Sequence, residues 1–466
     1  MITHSINSTR IEDEKVIIRR IEEIVELLLF STAFYYMCLH FYPDIVLGIR
    51  IYGRVAEVLL YAILCFLIIH INEGFRFGYM RFQEVLTSQN IAMLIVNVIS
   101  YTLMCLMSVK VLNVLPFLLL MAADFVISYI CVYFSTRFYH QFHVPLNMLM
   151  IYGGSNYNDL KIKLDGRSDK YHVTKIVPAT LSFEELTNMI PEFDAVLISD
   201  IPAEPRNNLL KWCYTNSIRT YLTPKISDVI EAGSQDIYLF DTPLKLVKGL
   251  GLSFGNRVAK RAFDLILSSL AFIILSPIFL IVAVAIKLED HGPAFYMQER
   301  VTQGGRRFMI YKFRSMIVNA EKNGEVIPAT DHDSRITKVG RIIRACRVDE
   351  LPQLINIIVG DMSIVGPRPE RVEHVEKYTE MIPEFQLRTK VKGGLTGMAQ
   401  IYGKYNTSPL NKLKFDLMYI ENYNFLLDIK LIIMTIRILF QKESTEGFDP
   451  TASMLMHDSV ANANQQ

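Results

Sequence analysis

The chain has 466 residues, enough for two or three domains, and its formal net charge of +1 gives no general attraction to nucleic acid. Hydrophobic residues make up 51% and charged residues only 20%, a balance that argues against an ordinary soluble enzyme and indicates membrane segments. The six cysteines show no metal-binding spacing, and four lie in apolar runs, so we expect free buried thiols in a reducing cytoplasm.

Four apolar stretches precede residue 140 and predict a bundle of four transmembrane helices within residues 25–140. The stretches are 27–42, 55–71, 91–109 and 111–134. Residues 1–24 are polar and mixed in charge, so we expect a cytoplasmic segment without a cleavable signal peptide. The positions of the basic residues favour cytoplasmic ends for the bundle. Asp124 interrupts the last stretch, and a structural contact inside the bundle is favoured over a functional role.

Residues 141–250 have the texture of a soluble domain, in which strand-like and helix-like runs alternate. The runs NMLMIYG, HVTKIVPA, DAVLISD and RTYLTP predict short buried strands of a parallel, doubly wound α/β sheet. The first run ends in Gly153-Gly154-Ser155 where a dinucleotide fingerprint would read G-x-G-x-x-G, and a lone Gly-Gly turn is weak evidence for phosphate binding. We therefore expect a degenerate Rossmann-like domain that serves as a spacer, a regulatory site or a dimer surface.

An apolar run without formal charge covers residues 265–286, with basic residues on both sides. By length alone it predicts a fifth transmembrane helix. Ser276-Pro277 lies at its middle, where the proline removes a backbone hydrogen bond and the serine can satisfy the freed carbonyl. A bend there favours a re-entrant helix over residues 262–287 that enters and leaves by one leaflet. A straight, proline-kinked span is the alternative.

The segment that follows, GPAFYMQERVTQGGRRFMIYKFRSM, predicts a β-hairpin with its tip at Gln303-Gly304-Gly305. Lys312 and Arg314 lie two residues apart on the second strand, where both could meet phosphate oxygens. A solvated strand face is the other interpretation. Residues 319–333 are charged and poorly patterned, which predicts a mobile loop near the substrate entrance.

Most of the candidate catalytic and phosphate-binding residues lie in one stretch, RIIRACRVDELPQLINIIVGDMSIVGPRPE, residues 341–370. Asp349 and Glu350 precede Leu351-Pro352, so Asp349 can be explained as a helix N-cap. Arg344 and the Arg368 of a rigid Gly-Pro-Arg-Pro turn favour a different explanation, because arginine forks suit phosphate oxygens. A carboxylate beside them can hold a metal ion or attack phosphorus.

Later motifs are less specific. KGGLTGMAQIYG, residues 392–403, is glycine-rich and allows close approach of the backbone to a ligand. The apolar residues of 431–440, interrupted by Arg437, predict an interfacial helix. Residues 441–466 are polar with little periodicity, so we expect a disordered tail.

Residues 257–440 resemble the bacterial sugar transferase family, the monotopic polyprenyl-phosphate glycosyl-1-phosphate transferases that start exopolysaccharide, capsule and O-antigen assembly. The motifs KFRSM, RVDELPQL, GPRP and KGGLTGMAQ carry the resemblance. It implies an α/β phosphoglycosyl transferase domain at 251–440 with a re-entrant helix, preceded, as in large members of the family, by four spans and a nucleotide-fold domain. Thr302, Arg347 and Gly393 depart from the residues usual in the family.

The resemblance implies a two-step reaction at the bacterial inner membrane, with the catalytic domain on the cytoplasmic face. Asp349 would attack the sugar-bearing phosphate of a UDP-sugar, UMP would leave, and undecaprenyl phosphate would accept the phosphosugar. Mg²⁺ held partly by Glu350 would neutralise the pyrophosphate, while Lys312, Arg344 and Arg368 would clamp phosphate oxygens. Glucose or galactose is the expected sugar, and a homodimer is plausible.

Two other functions fit the sequence less well. A membrane glycosyltransferase would move the sugar without its phosphate and release UDP. A membrane scaffold whose middle domain senses a nucleotide would need no catalytic acid, so Asp349→Asn would leave its function intact.

Overall fold

The structure, a computed structural model, describes residues 2–43, 51–142, 144–154, 157–249, 251–318, 320, 333–403 and 407–439. The chain forms two units, Met1–Thr223 and Pro224–Gln466. Nearly all of the loop predicted at 319–333, and the tail predicted to be disordered at 441–466, lie outside the described residues.

Four long helices open the first unit. They are α1 (Ile2–Phe41), α2 (Ile51–Ile71), α3 (Phe82–Ser108) and α4 (Leu115–Phe142). Helix α1 includes most of the polar segment 1–24, because charged residues favour helix as readily as apolar ones do. Within the described residues, these helices and a fifth at Phe254–Asp290 are long and apolar enough to cross a membrane. Several candidate spans support a membrane protein, whereas their exact number stays a prediction.

Aromatic and polar contacts join the four helices. The rings of Phe34 and Tyr61 stack with centroids 4.0 Å apart. Tyr61 donates a hydrogen bond to Asn97 Oδ1 at 2.9 Å, and Asn97 Nδ2 donates to Asp124 Oδ2 at 2.7 Å. Asp124 therefore makes a contact inside the bundle, in agreement with the interpretation favoured from the sequence.

A four-stranded parallel sheet completes the first unit, with strand order β2-β1-β3-β4. The strands are β1 (Leu146–Tyr152), β2 (Tyr171–Pro178), β3 (Ala195–Ser199) and β4 (Arg219–Leu222). Helices α5 (Tyr157–Asp165), α6 (Phe183–Met189) and α7 (Ala203–Thr215) connect them. All four strands fall where the sequence predicts strands.

Alternate residues of strand β1 are buried on opposite faces of the sheet, which shows that both faces are covered. Met148 and Met150 belong to one apolar cluster, and the alternate residues Leu149 and Ile151 belong to another. At its end, a Cβ on Gly154 would lie 2.3 Å from Asp200 Oδ2. A carboxylate at the Gly-Gly turn opposes an anion there, although the assignment to a degenerate nucleotide fold stays a prediction.

The second unit is an α/β unit of short elements around one long helix. Its helices are α8 (Ile226–Ala232), α9 (Phe254–Asp290), α10 (Lys338–Ala345), α11 (Gln353–Val359), α12 (Val372–Met381), α13 (Met398–Tyr402), α14 (Pro409–Glu421) and α15 (Phe425–Leu439). Its strands are β5 (Gln235–Leu239), β6 (Thr242–Leu246), β7 (Phe295–Val301), β8 (Arg307–Phe313), β9 (Met362–Val365) and β10 (Gly393–Thr396). β5–β6 and β7–β8 are antiparallel pairs, and β9–β10 is parallel.

Two elements of this unit lie differently from what the sequence suggests. Helix α8, which the sequence places in the middle domain, contributes Val229 to the core of the second unit. Helix α15 buries Leu431 and Met434 in the same core, and Arg437 is only 5% exposed. Helix α15 thus packs as a core helix, because its apolar face has a protein partner.

Helix α9 is attached to the second unit near both of its ends. Lys260 pairs with Asp428 at 2.6 Å, and Asp264 accepts hydrogen bonds from Ser363 Oγ at 2.7 Å and the Ile364 N–H at 3.1 Å. At the other end, Glu289 accepts hydrogen bonds from two backbone N–H groups of α10. The apolar middle of α9 is therefore held between two polar attachments to one α/β unit.

Pro277 lies inside α9 and leaves the carbonyl of Ile273 without its helical N–H partner. Ser276 Oγ donates a hydrogen bond to this carbonyl at 2.8 Å. The serine thus offsets part of the backbone cost of the proline in an apolar setting. A re-entrant path for α9 stays a prediction.

Close backbone packing between the Gly-Pro-Arg-Pro turn and β10 gives a test of the fold. A Cβ on Gly394 would lie 2.1 Å from the Gly366 nitrogen, so we expect Gly394→Ala to destabilise the chain by about 1–3 kcal/mol, or roughly 2–12 °C in Tm. Thermal unfolding in detergent measures this change. Gly255→Ala is the control, since its Cβ would meet nothing within 4 Å. Equal Tm values for the two variants would contradict the packing described.

Candidate active site

The β7–β8 hairpin positions Lys312. The strands pair in antiparallel register with Tyr296 opposite Lys312, and a short 3₁₀ turn at Gln303–Gly305 forms the tip, as predicted. The Lys312 side chain is 19% exposed, and its Nζ lies 2.9 Å from Glu350 Oε1. The lysine singled out in the KFRSM motif therefore contacts one of the two predicted catalytic acids.

The acids lie in a tight turn between two helices. Helix α10 ends at Ala345, Arg347 adopts a left-handed backbone with φ 56°, and Val348–Glu350 form a 3₁₀ turn. Pro352, not Asp349, occupies the N-cap position of α11. Among the described residues, the Asp349 carboxylate accepts no hydrogen bond, so N-capping does not account for this acid.

The Gly-Pro-Arg-Pro turn brings Arg368 to the same carboxylate. The Arg368 guanidinium lies 2.7 Å from Glu350 Oε1, so the oxygen that meets Lys312 also meets Arg368. Arg388 donates a hydrogen bond to the carbonyl of Arg368 at 2.8 Å and pairs with the buried Asp416 at the same distance. A second ion pair thus supports the backbone of the arginine that binds Glu350.

Charge and burial act in opposite directions on Glu350. Burial alone would raise the pKa of Glu350, but Arg368 and Lys312 together lower it well below its usual value. Burial lowers the pKa of Lys312, and Arg368 acts in the same direction, while Glu350 opposes them. Glu350 therefore stays ionised at neutral pH and is neutralised by two cations.

Asp349 has a different environment from its neighbour. Burial and the adjacent charge of Glu350 raise the pKa of Asp349, while Lys312, Arg344 and Arg347 oppose this rise. Among the described residues, no ion pair joins Asp349 to any of these cations. The site thus contains one carboxylate that is paired with two cations and one that has no ion pair among the described residues.

Arg344 and Arg314, the two other cations considered from the sequence, lie in different surroundings. Arg344 lies in the last turn of α10, near enough to Asp349 to affect its charge, but within the described residues it makes no ion pair with it. Arg314 lies beyond the end of β8, is 6% exposed, and pairs with Asp290 at the end of α9. The structure supports neither interpretation of Arg314, a contact with phosphate beside Lys312 or a solvated strand face, because the side chain is buried against α9 and paired with Asp290.

Sequence reasoning missed the supporting group around Arg388. Arg388 lies in a 3₁₀ helix and Asp416 in α14, and both side chains are buried. Burial raises the pKa of Asp416 to about 6, although Arg388 opposes this rise. Neither residue belongs to a recognisable local pattern, since their pairing joins segments 28 residues apart.

The glycines of the KGGLTG motif pack against the protein itself. A Cβ on Gly393 would lie 2.6 Å from Pro369, and one on Gly397 would lie 2.1 Å from the Gly366 carbonyl. These glycines let β10 approach the turn that carries Arg368. A role next to a nucleotide stays a prediction.

Comparisons with known proteins match the part of the chain that holds this site. The family model described as bacterial sugar transferase matches residues 255–442. The UDP-glucose:undecaprenyl-phosphate glucose-1-phosphate transferase of Caulobacter vibrioides is 38% identical over 190 residues, which are 40% of this chain and 71% of that protein. The chain belongs to the bacterial sugar transferase family. This membership confirms the resemblance seen in the motifs.

Two further relatives of this sugar transferase are longer than the matched region. The UDP-glucose:undecaprenyl-phosphate glucose-1-phosphate transferase of Klebsiella pneumoniae is 43% identical over 203 residues, which are 42% of each chain. The UDP-N-acetylgalactosamine-undecaprenyl-phosphate N-acetylgalactosaminephosphotransferase of Aeromonas hydrophila is 42% identical over 183 residues, 39% of this chain and 43% of that protein. The chain thus matches less than half the length of either relative.

The carboxylates of the site can be compared with the ligands that Mg²⁺ uses in proteins. Within the described residues, no group of three or more His, Cys, Asp and Glu side chains could hold a metal ion. Glu350 Oε1 is engaged by two cations, which leaves its second oxygen and the Asp349 carboxylate. Mg²⁺ commonly binds through one or two carboxylates and the phosphates of its substrate, so these residues fit it in that form.

The shared oxygen of Glu350 predicts a stability effect in the sugar transferase. We expect Glu350→Gln to reduce the free energy of unfolding by about 1–3 kcal/mol at pH 7, less than for a fully buried pair, because Arg368 is 38% exposed. The pKa of Glu350 is lower in the folded chain than in the unfolded chain, where it is about 4.3. The ionised side chain therefore stabilises the fold fully above pH ~4.3, and this stabilisation is lost as the pH falls through the folded-state pKa.

Thermal unfolding of wild type and Glu350→Gln at pH 5 and pH 7 measures this contribution. The exposed Glu380 on α12 provides the control Glu380→Gln. The ion pairs of Glu350 would be contradicted if wild type were more stable than Glu350→Gln at pH 7 but not at pH 5. They would also be contradicted if Glu350→Gln and Glu380→Gln lost the same stability.

Proposed function

We propose that this chain transfers a sugar-1-phosphate from a UDP-sugar to undecaprenyl phosphate through a covalent phosphosugar on Asp349, with release of UMP. The observation that carries the proposal is the difference in ion pairing between the two adjacent acids. Glu350 is held by Lys312 and Arg368, while the adjacent Asp349 carboxylate has no partner among the described residues. Relatives whose names give this type of reaction support it.

In the first step, an oxygen of Asp349 attacks the phosphorus that carries the sugar. A new O–P bond forms, the P–O bond to UMP breaks, and UMP leaves with the electron pair. In the second step, an oxygen of the lipid phosphate attacks the same phosphorus, and Asp349 leaves as a carboxylate. Neither step needs an oxidant or a proton donor.

The cations of the site have distinct parts in this chemistry. Lys312 and Arg368 keep Glu350 ionised, and they offer donors to incoming phosphate oxygens. Arg344 lies near Asp349 and adds positive charge where the phosphate must arrive. Such preorganised donors typically contribute several kcal/mol of transition-state stabilisation. Arg388 acts as a positioning residue through the carbonyl of Arg368.

Mg²⁺ belongs to the same proposal. Glu350, through its second oxygen, and substrate phosphates would hold it. When bound, Mg²⁺ neutralises charge on the pyrophosphate and on the departing UMP.

The membrane arrangement in this proposal places the catalytic unit on the cytoplasmic face of the bacterial inner membrane. Both attachments of α9 lie on one α/β unit, which supports a re-entrant helix bent at Ser276-Pro277. A polar unit fixed to both ends of a crossing helix would need to lie on both sides of the bilayer. Glucose and N-acetylgalactosamine, named in the relatives, are the first sugars to test, and a homodimer belongs to the proposal as well.

The identity of the nucleotide product tests the reaction class. Incubation of the full chain in detergent with radiolabelled UDP-sugars, Mg²⁺ and undecaprenyl phosphate should give lipid-extractable label and UMP. We expect Asp349→Asn to reduce turnover by at least about 10³-fold, because an amide cannot serve as the nucleophile. The donor alone should leave a phosphosugar adduct on wild type and none on Asp349→Asn.

Asp361→Asn is the matched control, because Asp361 pairs with Arg306 at the surface. Release of UDP would assign the chain to glycosyltransferases that move the bare sugar. Full activity in Asp349→Asn would overturn the covalent mechanism.

The raised pKa of Asp349 predicts the acid limb of the pH profile. The attacking form is the ionised carboxylate, so kcat/KM should fall as the pH drops through a value above the usual 3.9 for aspartate. Arg344 lowers this pKa, so Arg344→Gln should move the limb to higher pH. Arg341→Gln, an exposed change on the same helix, should leave it unmoved. A limb that moves equally in both variants, or in neither, would contradict this role of Arg344.

A further inference from the structure

A groove lies on the surface of the N-terminal helical bundle, beside the last turns of α4. Its volume is about 580 Å³, which falls within the range of roughly 300–1,000 Å³ typical of small-molecule sites. Five of its lining residues come from α4 and one from the start of α3. They are Phe82, Tyr129, Tyr133, Thr136, Arg137 and Gln141. The groove is therefore large enough for a ligand much bigger than an inorganic ion.

The residues of α4 form a stripe along one side of the helix. Four of the five recur at intervals of four, from Tyr129 to Gln141, and residues at this interval follow one another up the same face of an α-helix. Tyr129 lies in the middle of the candidate membrane span Leu115–Tyr139, and Arg137 lies near its end. A rise of 1.5 Å per residue separates these two positions by about 12 Å along the helix axis. The stripe therefore runs from aromatic rings inside the span to a cation at its edge.

Aromatic rings form the inner end of the groove, towards the middle of the span. Phe82, the first residue of α3, packs edge-to-face on Tyr129, with ring centroids 5.7 Å apart and an interplanar angle of 86°. Tyr133 makes a similar contact with Phe134, with centroids 5.6 Å apart. These contacts hold the rings in place. The inner end thus has an apolar wall of fixed shape, which suits a hydrocarbon chain.

Arg137 provides the positive charge at the outer end of the groove. Its side chain is exposed, and within the part of the chain that the structure describes it makes no ion pair or hydrogen bond. Arg167 of the same unit differs, because it pairs with Asp169 at 2.9 Å and donates a hydrogen bond to the carbonyl of Tyr79 at 2.8 Å. Thr136, next to Arg137, adds a hydroxyl group. The outer end thus presents a guanidinium and a hydroxyl, and the six lining residues include no acid to neutralise the charge.

These groups determine the chemical class of the ligand. The guanidinium fork matches the oxygens of a phosphate, and basic pockets between membrane helices suit anionic lipid headgroups. A zwitterionic lipid would bring its own ammonium group beside the arginine, where two like charges repel. We propose that the groove binds one anionic phospholipid of the surrounding membrane, with its phosphate at Arg137 and Thr136 and an acyl chain along the aromatic rings.

The groove shares no residue with the candidate active site. All six lining residues lie in the first unit, whereas Asp349, Glu350 and the cations that pair with Glu350 lie in the second. A lipid in the groove is therefore a ligand of the helical bundle. Its binding can be measured without turnover, so the outcome does not depend on the reaction proposed for Asp349.

Native mass spectrometry of the full chain in detergent measures lipid binding directly. Phosphatidylglycerol and phosphatidylcholine with the same acyl chains are titrated separately. We expect wild type to bind the first phosphatidylglycerol about five- to tenfold more tightly, because one arginine near a membrane surface attracts an anionic lipid by about that factor. Arg137→Gln should abolish this preference. Lys110→Gln, which removes an exposed cation from the loop between α3 and α4, should retain it.

Thr136→Phe tests the position of the lipid, because the larger side chain fills the groove. It should weaken binding of the first phosphatidylglycerol at least about fivefold, in a protein whose thermal unfolding shows that it is folded. Unchanged binding would place the lipid elsewhere and overturn the proposal.

Three further results would overturn the proposal. Wild type could bind the two lipids equally, or Arg137→Gln could retain the preference. Lys110→Gln could lose the preference to the same extent as Arg137→Gln. An equimolar amount of undecaprenyl phosphate should leave phosphatidylglycerol bound, and complete displacement would assign the groove to the acceptor lipid instead.

Discussion

The candidate active site depends on one carboxylate oxygen that two cations share. Glu350 Oε1 meets Lys312 from a β-hairpin and Arg368 from a proline-flanked turn, at 2.9 and 2.7 Å. Antiparallel strand pairing fixes the backbone at Lys312. Close packing of glycines between β10 and the Gly-Pro-Arg-Pro turn fixes the backbone at Arg368. The arrangement commits Glu350 to binding, so the adjacent Asp349 keeps an unoccupied carboxylate. Two acids that are adjacent in the chain therefore have different electrostatic environments, and the pKa of one is lowered while that of the other is raised.

Helix α9 shows how polar attachments fix an apolar element. Its central residues expose large apolar side chains such as Ile273 and Ile281, while Lys260 and Asp264 near one end and Glu289 near the other bind the α/β unit. The Ser276 hydroxyl compensates for the backbone hydrogen bond that Pro277 cannot make. Length and apolar composition alone do not decide the path of α9 through a membrane, so the contacts at its two ends carry the information that the sequence pattern lacks.

Much of this structure could be predicted from sequence where local patterns determine it. The strands of the hairpin and the sheet follow from alternation and turn residues, whereas the resemblance to a family singled out the acid pair and Lys312. Arg314 could not be assigned correctly, because its partner Asp290 lies 24 residues away at the end of another element. Arg388 was missed for the same reason, since only the folded chain joins it to Asp416 and to the carbonyl of Arg368. Helix α1 begins earlier than the apolar pattern indicates, because charged residues support a helix that hydropathy cannot detect.

The pairing of Arg388 with Asp416 also sets an order of events during synthesis. Asp349 and Glu350 emerge from the ribosome soon after Lys312, and Arg368 follows 18 residues behind Glu350. The carbonyl of Arg368 gains its hydrogen bond only when Arg388 has been added, and Arg388 gains its shorter ion pair, with Asp416, only 28 residues later. The surroundings of Glu350 are therefore completed late in synthesis, long after the bundle at the start of the chain has been made.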